Sequence, residues 1–146
     1  MTEDSVLSVV RATFEEMTFL DVGPAGPNPA KVESGPILFL PYSHPRVGSL
    51  SLSMPKEIKF LSSENIYGES WKELSSEQID DSLLELLNVL VGRLLTLHFG
   101  EQSGYVMGLP TVLFDEPIAD HGAETQDFVF QIDAYQFHLT WSEVVP

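Results

Sequence analysis

The segment Ile79–Phe99, IDDSLLELLNVLVGRLLTLHF, constrains the fold more than any other part of the chain. Eight leucines and two valines fall between Leu83 and Leu97, so a helix here must bury most of its surface. Ser75 with Gln78 three residues later makes a capping box in front of it, and Gly100 supplies a stop behind it. The spacing predicts one helix over 76–99. At about 100° per residue, Asp81, Glu85, Asn88, Gly92 and Thr96 share an arc roughly 80° wide. Leu83, Leu84, Leu86, Leu87, Leu90, Val91, Leu94, Leu95 and Leu97 cover the far side. Such a polar strip is either the solvated face of an amphipathic helix or a site held on a rigid support. Asn is a poor interior helix former, and Gly92 costs roughly 1 kcal/mol relative to Ala. Asn88 would offer both donor and acceptor groups, and Gly92 would admit another backbone at close range.

Before this helix, residues 5–20 have helical spacing, with Val6, Val9, Val10, Phe14, Met17 and Phe19 apolar and Asp4 or Ser5 as N-cap. Residues 22–36 are rich in Gly and Pro and read as an irregular crossing. Residues 37–41 read as a strand and Tyr42–Gly48 as a turn. Over 47–54, Val47, Leu50, Leu52 and Met54 are set against Ser49, Ser51 and Ser53, a half-buried strand paired with the one before. A short helix is expected to about Ser62, then irregular chain over 63–74. After the long helix, Pro110–Phe114 reads as a strand, 115–127 as an acidic loop, and 128–132 with 135–141 as a hairpin. The sum is a single α+β domain over 1–146, with a largely antiparallel sheet and two main helices. Each half has a long helix that later leads into a strand pair.

Composition narrows the function classes. Twenty-two acidic against seven basic residues give a net charge of −15, which excludes a phosphate-backbone binder as the expected role. There is no cysteine, so no disulfide framework, thiolate metal site or cysteine nucleophile. MTEDSVLSVV has no basic stretch leading into an apolar run, and Asp80, Asp81, Glu85, Asn88 and Arg93 argue against a membrane span. A soluble cytoplasmic protein is the expectation. No Walker-type phosphate loop or dinucleotide fingerprint is present.

The spacing Asp81-x-x-x-Glu85-x-x-Asn88, with Pro110 twenty-two positions further on, resembles the signature of the CheC/CheX/FliY chemotaxis phosphatases. ELLNVLVGRLL followed by GLPTVLF is similar to that family's helix and the strand after it, and the serine-rich strand pair at 37–54 also matches. The resemblance implies a CheC-like domain whose two main helices are related by pseudo-symmetry. It implies that Glu85 contacts the active-site lysine of a phosphorylated CheY-like response regulator. It implies that Asn88 enters the regulator's site and positions a water in line with the aspartyl phosphate. Asp81, Gly92 and Pro110 would be supports. The Mg²⁺ would belong to the regulator, leaving this chain no cofactor or metal of its own. At the equivalent place on the first helix stand Arg11, Glu15 and Thr18; Thr18 lacks an amide, so that half would be inactive. A single site resembles the CheX branch, which implies a homodimer with one site per subunit.

Two other readings stand beside this one. The chain could be a non-catalytic binding or adaptor module of the same fold. It could instead bind a metal through the acidic stretch of Asp115, Glu116, Asp120, His121, Glu124 and Asp127, although EF-hand spacing is missing.

Overall fold

In a computed structural model of the chain, residues 1–26, 36–115, 117 and 122–145 are described. Helix α1, Glu3–Thr18, starts before the expected position because Thr2 rather than Asp4 or Ser5 caps it, its hydroxyl accepting from the Ser5 N–H at 3.2 Å. Strands β1 (Gly23–Pro24), β2 (Ile37–His44) and β3 (Gly48–Ser53) follow. The expected turn at 42–48 is shorter, since Tyr42 and His44 extend β2. Helix α2 runs Lys56–Tyr67, past the expected stop at Ser62. Within it the Ser63 hydroxyl donates to the Lys59 carbonyl and lies 3.1 Å from the Ser82 hydroxyl of the long helix. A 3₁₀ turn spans Trp71–Glu73, inside the stretch expected to be irregular.

Helix α3, Ser76–Phe99, has the expected bounds. The capping box forms in both directions: the Ser75 hydroxyl accepts from the Gln78 N–H, and the Gln78 amide oxygen accepts from the Ser75 N–H. Gly100, at φ 93°, ends it. Strands β4 (Val106–Met107), β5 (Thr111–Leu113), β6 (Ala123–Ile132) and β7 (Tyr135–Val144) complete the chain. The terminal hairpin is longer than expected. Glu124 and Asp127 therefore lie in β6 rather than in an acidic loop, and Asp127 accepts from the Thr140 hydroxyl at 2.8 Å.

All pairings are antiparallel and form one seven-stranded sheet of order β1-β6-β7-β3-β2-β4, with β5 also on β2. The order is symmetric about the β3–β7 pair. The unit α1, β1, β2–β3 matches the unit α3, β5, β6–β7, and each unit's edge strand pairs with the other unit's hairpin. The repeated unit is the source of the weak internal echo in the sequence. The three helices cover one face of the sheet, where Leu38, Leu40, Leu50, Leu52, Phe130, Phe137 and Leu139 meet Val6, Val10, Phe14, Ile58 and the leucines of α3 in one core. The opposite face carries rows such as Phe39, Ser51, Thr140 and Asp127. It bounds a concave groove of about 850 Å³.

Candidate functional site

The polar strip of α3 is on the surface. Asp81, Glu85 and Asn88 are exposed, while Leu83, Leu86, Leu87, Leu90, Val91, Leu94 and Leu95 are buried. Two residues depart from the expected apolar side: Leu84 is only half-buried and Leu97 is exposed. By length and composition α3 could cross a membrane, yet here its apolar side is spent on the sheet and on α1 and α2. The ion pairs among the described residues are Arg46–Glu143, Arg93–Glu16 and His98–Glu143. None draws on the strip. Glu85 and Asp81 thus present carboxylates to solvent, and Asn88 presents an amide one helical turn away.

The C-terminal end of the strip is closed by the loop after α3. The Tyr105 hydroxyl donates to the Gly92 carbonyl at 3.1 Å and lies 3.0 Å from the Thr96 hydroxyl, which itself donates to the Gly92 carbonyl at 2.8 Å. A Cβ on residue 92 would stand 3.8 Å from the Tyr105 hydroxyl oxygen and 3.9 Å from the Met107 sulfur. The close backbone approach expected at Gly92 is therefore not what the structure has. Two side chains cover the glycine, at distances an alanine would tolerate. Pro110 immediately precedes β5, where its missing N–H deprives no ladder bond. On the other flank, Arg93 ties α3 to α1 through the Thr13 hydroxyl and the Glu16 carboxylate.

At the matching place on α1 the geometry differs. Glu15 is exposed, but Thr18 is fully buried and donates to the Phe14 carbonyl at 2.6 Å. The Thr18 carbonyl accepts from Asn65, and Arg11 donates to the Val22 carbonyl. This half offers a carboxylate with no polar side chain beside it at the amide's position. Of the acidic stretch, Glu116, Asp120 and His121 lie outside the described residues. Among the described residues no group of His, Cys, Asp and Glu is arranged to hold a metal ion.

One cluster was not legible in the sequence. Tyr42 donates to the Glu143 carboxylate at 2.7 Å and accepts from the Trp141 indole N–H at 2.9 Å. Burial holds the Tyr42 phenol well above its usual range, so it stays a neutral donor. His98, at the end of α3, reaches the same carboxylate at 3.3 Å. The cluster fixes the C-terminus of α3 over the Tyr42 end of β2 and so sets the helix's position along the sheet.

The family model of the chemotaxis phosphatase CheX matches residues 39–133. The chain belongs to the CheX family. This CheX-family chain is also similar in fold to a Borrelia burgdorferi CheX solved in complex with CheY, BeF₃ and Mg²⁺, at 15% identity and TM-score 0.76 over 97% of each chain. A Desulfovibrio desulfuricans CheX matches at 12% identity and TM-score 0.76, over 96% of this chain and 97% of that one. Thermotoga maritima FliY matches more loosely, at 16% identity and TM-score 0.59, over 94% of this chain and 88% of that one. The α+β architecture with its exchanged edge strands is thus the CheC-like fold, and the CheX structures resemble it more than the FliY structure does. Comparison with curated proteins finds no match.

Proposed function

We propose that this CheX-family chain accelerates hydrolysis of the aspartyl phosphate of a CheY-like response regulator, with Glu85 and Asn88 as working residues. The observation that carries the reading is the exposed pair on one face of α3: a carboxylate unpaired among the described residues and an amide three positions on. The complex of the Borrelia burgdorferi relative with CheY supports the partner class. In the proposed mechanism Glu85 pairs with the regulator's active-site lysine and orients the two proteins. Asn88 enters the regulator's site and holds a water in line with the phosphorus. An acyl phosphate already has a good carboxylate leaving group, and phosphoryl transfer depends mainly on positioning and charge stabilisation. A neutral amide is therefore sufficient, and it can supply a few kcal/mol, about two orders of magnitude in rate. Mg²⁺ bound by the regulator would neutralise charge on the phosphoryl group. Asp81, Gly92 and Pro110 keep the strip and its flanking strand in place. The α1 half, with Thr18 buried, is inactive. The same reading has the chain acting in the cytoplasm as a homodimer with one site per subunit.

The test is phosphate release from a phosphorylated CheY-like regulator. Wild type is expected to accelerate it over spontaneous decay, Asn88→Ala to lose about a hundredfold in turnover while still binding, and Glu85→Ala to weaken docking. Binding that ignores phosphorylation, with no acceleration by wild type, would favour the adaptor reading instead.

A further inference from the structure

Leu109 and Phe114 are the most exposed large apolar side chains among the described residues, each at 82%, and they stand at the two ends of β5. Their place along α3 follows from the sheet register. Met107 pairs with Tyr42 and also covers Gly92. Thr111–Leu113 pair with Phe39–Ile37, three to five residues back along β2. At about 3.3 Å per strand residue that is roughly 10–17 Å along β2. Tyr42 itself packs on Phe99, so moving back along β2 leads away from the C-terminal end of α3, and β5 lies on the N-terminal side of Gly92, where Asn88 and Glu85 stand. Consistent with this, β5 packs on α3.

The pseudo-symmetric half arranges its apolar residues differently. β1, the counterpart of β5, is flanked by Val22, which is fully buried, and by Ala25, which is small. That half exposes Phe19, at 76%, at the C-terminal cap of α1; among the described residues only the half that carries Asn88 has large exposed apolar side chains within two residues of its edge strand on both sides. Charge then discriminates between occupants. Asp81, Glu85 and the exposed Asp115, next to Phe114, make the surroundings acidic in a chain of net charge −15. A second copy would bring like charge to this surface, whereas a partner carrying a lysine beside an apolar patch meets it with complementary charge.

We propose that Leu109 and Phe114 form an apolar shoulder against which the response regulator rests while Glu85 and Asn88 engage its phosphorylated site. This rests on the phosphatase reading above. Single and double Leu109→Ser and Phe114→Ser variants of the full chain, assayed on a phosphorylated CheY-like regulator that the wild type dephosphorylates, test it. The double variant is expected to raise KM about tenfold with kcat within about a factor of two, at unchanged melting temperature and sedimentation. Leu109→Met is expected to keep the wild-type KM, which guards against a variant that merely misfolds. An unchanged KM in the double variant, or a fall from dimer to monomer mass, overturns the shoulder; the second result assigns the surface to another copy of this chain. Asn88→Ala separates the two readings, since it should lower kcat with KM held. If it leaves turnover intact the role of Asn88 falls, and the shoulder then stands or falls on the KM of the double variant alone. If it abolishes turnover while the double variant keeps its KM, the shoulder alone falls.

Discussion

At position 48 a single hydrogen decides whether the far end of the sheet can close. A Cβ there would overlap the Tyr42 hydroxyl and lie 2.6 Å from the Ser142 carbonyl oxygen. Gly48→Ala is thus expected to push Tyr42 off Glu143 and Trp141 and to cost about 1–3 kcal/mol, measured as a lower urea midpoint at unchanged m-value. Thr18 teaches the complementary lesson. The sequence shows a threonine where the helix signature has an amide, but not that its side chain is folded back onto its own helix. Asn88 is legible because an amide between Leu87 and Val89 is a poor helix choice that needs a reason. Gly48 is not, because its partner Tyr42 bonds a carboxylate 101 residues away along the chain.

Elements whose signals are local carry their bounds in the sequence. The capping box and the following glycine define α3, since each is a hydrogen-bonding or steric event within one turn. Local patterning understates the elements that depend on neighbours. The polar residues of 123–127 read as loop because they face solvent, yet they pair residue by residue with β7. The two-residue strands β1 and β4 have no period to detect and exist only because β6 and β2 offer them a partner. The loop between α3 and β5 is ordered in the same way, by Tyr105 on Gly92 and Thr96. Tyr105→Phe is expected to lose about 0.5–1.5 kcal/mol and to speed amide exchange at 104–107, as followed by hydrogen–deuterium exchange.

For the whole molecule, net charge and symmetry matter most. A charge of −15 on one small sheet-and-helix body repels itself, and salt screens that repulsion. The melting temperature is expected to climb by a few degrees from low salt to about 0.5 M sodium chloride; a flat or falling trend would show that the acidic residues are better compensated than their number implies. Across the pseudo-symmetry, the fold builds the same scaffold twice. On α3 it leaves Asp81, Glu85 and Asn88 exposed, whereas on α1 Glu15 is exposed and Thr18 is buried.

By itself the sequence determined the long helix, its caps, the strip of Asp81, Glu85 and Asn88, and the α+β class. Each of these rests on periodicity or on contacts within a few residues, which the order of side chains specifies directly. Only the tertiary structure decided that β1 and β5 exchange halves and that side chains rather than a backbone cover Gly92. It alone decided that Thr18 is buried and that Leu109 and Phe114 stand exposed on either side of β5. Those features depend on pairings between distant segments, where one edge strand's partner is chosen by the whole sheet and not by its own two or three residues.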